Sequence, residues 1–146
     1  MSPARYGMLV EADRCVGCHS CQLACRDEHA GRDHRPIAAA QPECGANWIA
    51  IRQTEHGSFP KVKVGYVPVP CLQCADAPCL RAAPDTLHRR ADGIVVIDPD
   101  KARGRREIVS SCPYGAIVWN EEADLPQKCT FCAHLLDEGW KEPRCV

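Results

Sequence analysis

The sequence predicts an α+β fold of two pseudo-symmetric halves, in which short β-hairpins and helices surround groups of cysteines. Twelve of the 146 residues are cysteine, and most of them lie in closely spaced runs. A pattern of strand, cysteine loop and helix recurs along the chain, which indicates an internal duplication. Aromatic residues make up only 5% of the chain, so a thin apolar core would need bound metal for part of its stability.

Composition and charge exclude several classes of partner. The formal net charge is −1, which argues against nucleic-acid binding. No segment of the sequence has the run of apolar residues that a membrane span needs. Residues 1–7 show no apolar leader segment, so we expect a cytoplasmic location, where clustered cysteines are metal ligands more often than disulfides.

The first elements are predicted in chain order as follows. Residues 6–12 read as a short strand, and a helix extends from the first cysteine loop to about His29. Glycine and proline mark 30–46 as a surface loop. Imperfect alternation predicts a strand over 48–54, and clearer alternation predicts one over 62–69, with Val62, Val64, Tyr66 and Pro68 on one face.

The second half of the chain repeats this order. A cysteine loop spans 71–79, and further strands are predicted at 94–97 and 116–120, with helices over 101–111 and 130–138. We therefore expect residues 1–146 to form a single domain. Its outer half comprises 1–45 plus 121–146, and its inserted half comprises 62–120.

The first cysteine run has the spacing of bacterial ferredoxins. Cys15, Cys18, Cys21 and Cys25 spell C-x2-C-x2-C-x3-C, a run whose fourth cysteine ligates a different 4Fe–4S cluster from the first three. The proline that usually follows the fourth cysteine is replaced by Arg26. The halves are therefore expected to be ferredoxin-like, and a zinc site, which prefers separated C-x2-C pairs, is the alternative.

The second run is incomplete in an informative way. Cys71, Cys74 and Cys79 have no fourth cysteine four residues later, where Ala83 stands, while Cys112 precedes Pro113 as an isolated fourth-cysteine signature. Cross-pairing gives one cluster to Cys71, Cys74, Cys79 and Cys112. The partner cluster would have used Ala83, Ala102, Arg105 and Ile108. We expect these four residues to face one another across a site closed by apolar contacts, with Arg105 pointing outward.

With the third cysteine run, the expected number of clusters is three. Cys129, Cys132 and Cys145 are expected to share a cluster with Cys25. Cys15, Cys18 and Cys21 then need a fourth ligand four residues beyond Cys145, and we expect it beyond residue 146. Cys44 as the fourth ligand, or a three-iron cluster, are the alternatives.

The order of these motifs resembles that of the iron–sulfur β subunits of molybdopterin oxidoreductases of the dimethyl-sulfoxide-reductase family. The segments that carry the resemblance are EHGSFP at 55–60, DGIVVIDP at 92–99, CPYG at 112–115, WNEE at 119–122 and QKCTFCAHLLD at 127–137. The resemblance implies electron transfer by a chain that is not itself an enzyme. It also implies a large catalytic subunit that holds the molybdopterin cofactor and acts on hydroxylated aromatics as an oxidoreductase or transhydroxylase.

Other candidates are more simply read as structural. His19 and His134 are expected at the surface, Trp48 and Trp119 in the core or an interface, and the basic stretch 101–106 on a solvated helix face or against an acidic partner. Two rival functions remain open: a stand-alone soluble polyferredoxin and a zinc-stabilised interaction module.

Overall fold

A computed structural model describes residues 5–146, so part of the 1–7 stretch considered above lies outside the described residues. The helices and strands are short apart from one helix and one hairpin. The helices are α1 Ser20–His29, α2 Pro78–Ala82, α3 Glu107–Ser110 and α4 Ala133–Asp137. The strands are β1 Ala50–Ser58, β2 Lys61–Val69, β3 Leu87–Arg89, β4 Val95–Ile97, β5 Val118–Asn120 and β6 Leu125–Gln127.

The strands pair as three separate antiparallel hairpins, β1–β2, β3–β4 and β5–β6. The register joins Leu87 to Ile97 in the second hairpin and Asn120 to Leu125 in the third. Antiparallel hairpins mixed with short helices make the fold α+β, as predicted.

The β1–β2 hairpin is the longest paired element, and most of its residues are exposed on both faces. The ring of Tyr66 on β2 lies against the first cysteine loop at Gly17. A Cβ at position 17 would come within 2.6 Å of that ring, and the φ of Gly17 is +69°. Only glycine fits this close approach, which fixes the base of the hairpin against the loop.

Two predicted elements near the chain start are corrected. Residues 6–11 belong to no strand and lead into a 3-10 turn at Ala12–Arg14, so the predicted strand is wrong. The 30–46 segment is only partly a surface loop, because Ile37, Ala38 and Ala39 are buried. A loop can enter a core when its backbone finds partners, and here Gln41 N donates to His29 O at 2.9 Å.

The helix predicted over 101–111 is also wrong in extent, since only Glu107–Ser110 is helical. Asp98 Oδ1 accepts a hydrogen bond from Asp100 N at 3.0 Å, which closes an Asx turn. Gly104 follows with φ +74°. The Asx turn and this positive φ are incompatible with a helix that starts at residue 101.

The core has its longest buried stretch over 125–135, from β6 through the last cysteine loop into α4. A second part of the core contains three of the four residues that were expected to face one another. Ala83, Ala102 and Ile108 are 1%, 0% and 1% exposed and belong to one apolar cluster. Arg105 points away, to Asp85 at 2.6 Å and Glu107 at 2.7 Å. The site is therefore closed by apolar contacts, as expected.

We predict that Ile108→Ala lowers the free energy of unfolding by about 2–4 kcal/mol, because it opens a cavity in a closed apolar site. Anaerobic chemical denaturation of the two proteins measures the difference. Val62→Ala, at a hairpin position that is 51% exposed, is the control and should change little. An Ile108→Ala protein as stable as the control would show that this site is not packed.

Candidate metal centres

Four cysteines from two distant segments line one cavity. Cys71 and Cys74 lie in the loop after β2, Cys79 lies in α2, and Cys112 follows α3. All four line the same cavity beneath β4. The structure thus brings together the set that cross-pairing assigns to one cluster, although Cys112 is remote from the others in sequence.

A second group joins the two ends of the chain. Cys25 on α1 is 6% exposed and shares an apolar cluster with Cys129, against which Cys145 packs. Burial raises the pKa of the Cys25 thiol far above its usual range, and Cys129, Cys132 and Cys145 add to the shift through charge repulsion. Burial also raises the pKa of Cys129 to about 12 and that of Cys132 to about 11. Thiols in such surroundings become thiolates only when a metal replaces the proton.

The first three cysteines are more exposed. Cys15 and Cys21 are half-buried and Cys18 is exposed, with its pKa lowered by a hydrogen bond with Ser20. Burial raises the pKa of Cys21, and the nearby Cys15 and Cys18 add to the rise. Cys44 is exposed in a separate loop, and its role as a fourth ligand stays a prediction.

Arg26 has a clear role in the place of the usual proline. Its guanidinium donates to the Glu43 carbonyl at 2.7 Å and to Asn47 Oδ1 at 3.0 Å. The side chain therefore ties α1 to the loop that carries Cys44.

The surroundings of the two buried cysteine groups fit a thiolate-bound anionic group. Ala116 N–H donates to Cys112 Sγ at 3.4 Å, and Phe131 N–H donates to Cys129 Sγ at 3.4 Å. Such hydrogen bonds favour the thiolate over the thiol. Lys128, 2% exposed, lines the Cys71–Cys112 cavity. Four sulfur ligands, donors aimed at sulfur and a buried cation match the chemistry of a 4Fe–4S cluster.

Gln73 links the two buried cysteine groups. Its Nε2 donates to the Cys129 carbonyl at 3.0 Å, and its Oε1 accepts from Val95 N at 2.9 Å. Gln73 itself has φ +48°, a conformation that needs such support. Arg89 holds the same loop by donating to the Cys74 carbonyl at 2.7 Å.

Histidines form a buried group that the sequence analysis missed. His134 is 9% exposed and lies 3.0 Å from Glu28 Oε1, so its surface assignment is wrong. His29 is 1% exposed, and its Nε2 lies 3.7 Å from Cys132 Sγ. Burial lowers the pKa of His29 to about 3, so the ring is neutral. The sequence does hold one indication of this group. His29 follows Cys25 by four residues, so both side chains lie on the same face of α1.

The remaining candidates lie largely where expected. His19 is exposed and Trp48 is 2% exposed. Trp119 is half-buried, with the Arg106 guanidinium 4.8 Å from its ring centroid. The basic stretch faces acidic side chains of this chain itself, since Arg106 pairs with Glu121.

The family model described as a 4Fe-4S dicluster domain matches residues 62–146. The pyrogallol hydroxytransferase small subunit of Pelobacter acidigallici is 42% identical over 97% of this chain and 53% of its own length. The B subunit of the anaerobic dimethyl sulfoxide reductase of Escherichia coli is 33% identical over 97% of this chain and 68% of its own length.

A more distant relative is the arsenate respiratory reductase iron-sulfur subunit of a Shewanella species, 27% identical over 97% of this chain and 76% of its own length. The chain spans little more than half of the pyrogallol hydroxytransferase subunit. Among residues 5–146, no helix has the length and hydropathy to cross a membrane.

We predict that Gln73→Leu lowers the free energy of unfolding by about 2 kcal/mol, because it leaves Val95 N without a partner and removes one of the two hydrogen bonds to the Cys129 carbonyl. Anaerobic denaturation with intact iron content measures the loss. Gln53→Leu, at an exposed position of β1, is the matched control. Equal stability of the two variants would mean that Gln73 does not hold the loops together.

Proposed function

This protein belongs to the family of iron–sulfur subunits that includes the B subunit of anaerobic dimethyl sulfoxide reductase, and from this we propose that it transfers electrons within a larger oxidoreductase. A bound 4Fe–4S cluster exchanges one electron at a time without forming or breaking a bond. The observation that carries the proposal is the convergence of Cys71, Cys74, Cys79 and Cys112 on one cavity. The protein's own residues hold, insulate and tune such groups.

We assign three 4Fe–4S clusters to the cysteines. One is held by Cys71, Cys74, Cys79 and Cys112, and one by Cys25, Cys129, Cys132 and Cys145. The third is held by Cys15, Cys18 and Cys21, with Cys44 an alternative fourth ligand. The proximity of Cys25 to Cys129 and Cys132 supports the cross-pairing. In this assignment the outer half, 1–45 plus 121–146, and the inserted half, 62–120, are the two pseudo-symmetric units.

The proposed partner is a large catalytic subunit that holds the molybdopterin cofactor. Hydroxylated aromatics are the proposed substrates of that partner, because the relative from Pelobacter acidigallici is named as a pyrogallol hydroxytransferase subunit. A cytoplasmic location is proposed on cysteine usage alone.

Anaerobic purification of the protein, expressed together with the genes that lie next to its own, tests the function. We expect a brown protein that contains iron and sulfide, bleaches with dithionite and co-purifies with a large molybdenum-containing subunit. A colourless protein with zinc would favour the interaction module. A brown protein that never co-purifies with a larger subunit would favour a stand-alone polyferredoxin.

Cys25→Ala and Cys112→Ala test the cross-pairing. We expect Cys25→Ala to damage the cluster of Cys129, Cys132 and Cys145, and Cys112→Ala to damage that of Cys71, Cys74 and Cys79. Each variant should lose up to four irons per protein molecule, measured by metal analysis and by electron paramagnetic resonance of the reduced protein. Cys44→Ala is the comparison variant. If Cys25→Ala instead removes the cluster of Cys15, Cys18 and Cys21, the assignment is wrong.

A further inference from the structure

Lys128 is a buried cation with only neutral partners. The residue is 2% exposed and lies between β6 and Cys129. Its ammonium group donates to the carbonyl of Val95 and, at 3.1 Å, to the carbonyl of Cys129. Among the ion pairs of residues 5–146, none involves Lys128.

Such burial is costly unless a negative charge lies close by. Removing an ammonium ion from water costs several kcal/mol, and two carbonyl dipoles offset only part of that free energy. Exposed lysines are the norm, and fully buried ones are nearly always paired. The interior around Lys128 should therefore contain an anion when the protein is complete.

The position of Lys128 identifies the anionic groups. Its side chain lines the cavity of Cys71, Cys74, Cys79 and Cys112. Its ammonium group contacts the backbone of Cys129, which belongs to the other buried cysteine group. One cation thus lies beside both buried cysteine groups.

We propose that the Lys128 ammonium is the shared counter-charge of two clusters, those of Cys71, Cys74, Cys79 and Cys112 and of Cys25, Cys129, Cys132 and Cys145. The inference rests on the cluster assignment made under the proposed function. It adds a residue that ligates no metal and sets the potential at which two neighbouring clusters accept an electron.

The electrostatic argument gives the sign of the effect. Reduction adds one electron, and so one negative charge, to a cluster whose thiolates already make it anionic. A fixed positive charge in a low-dielectric interior stabilises the reduced form more than the oxidised form. Lys128 therefore raises both reduction potentials. It also weakens the repulsion between an electron on one cluster and an electron arriving on the next.

Substitution of Lys128 separates charge from packing. Lys128→Met keeps most of the side-chain volume and removes the charge, whereas Lys128→Arg keeps the charge. Lys61→Met, at the exposed start of β2, is the control for loss of a lysine elsewhere. Each iron-loaded protein is reduced stepwise with dithionite under argon. Iron content and electron paramagnetic resonance spectra are recorded at each potential.

In Lys128→Met we expect two clusters to show an about tenfold lower reduction equilibrium constant, which is about 59 mV per electron. The third cluster and the Lys61→Met protein should be unchanged, and Lys128→Arg should lie near the unsubstituted protein. If Lys128→Met loses iron, the loss should be confined to those two clusters and Lys128→Arg should retain it.

Three results would overturn the role of Lys128. These are unchanged potentials in an iron-replete Lys128→Met protein, an equal shift of all three clusters, and a Lys128→Arg protein as altered as Lys128→Met. An unsubstituted protein that lacks iron would instead overturn the proposed function itself.

Discussion

The convergence of sulfur atoms from distant segments is the constraint on which the rest of this structure depends. Cys112 reaches the cavity of Cys71, Cys74 and Cys79, and Cys25 at one end of the chain lies beside Cys129 at the other. Such convergence constrains the positions of the cysteine loops more directly than those of the helices and strands. Most helices and strands are accordingly three to five residues long, and the longest hairpin, β1–β2, is mostly exposed and contributes little to the core.

Burial of sulfur then dictates what surrounds it. Thiolates in an apolar interior need N–H donors and positive charge, and the chain supplies Phe131 N–H, Ala116 N–H and Lys128 at these places. Where the cysteines of a cluster are missing, the opposite chemistry applies. Ala83 and Ala102 are small and apolar, and the one cation of that set, Arg105, turns outward to carboxylates. The contrast between the two sites follows from the presence or absence of cysteine side chains.

Features encoded by local spacing could be predicted from the sequence. The cysteine runs, helix α1 and strands β2 and β4 belong to this class, since spacing and alternation specify them without reference to the rest of the chain. Apart from the cross-paired cysteines, features that depend on distant partners could not. The sequence predicts a strand over residues 6–12, but within the described residues that segment has no pairing partner. The burial of Ile37 and of His134 depends on contacts that only the folded protein makes.

Helix α1 shows how one element can serve several of these contacts at once. Cys25 lies in a buried cysteine group, Arg26 holds the 43–47 loop, and His29 reaches Cys132 Sγ. A proline at position 26 would remove both the backbone donor and the long cationic side chain. It would also disturb a helix that continues to His29. The departure from the usual ferredoxin pattern at this position is therefore explained by the loop and the histidine that α1 must hold, and not by the cysteine that precedes it.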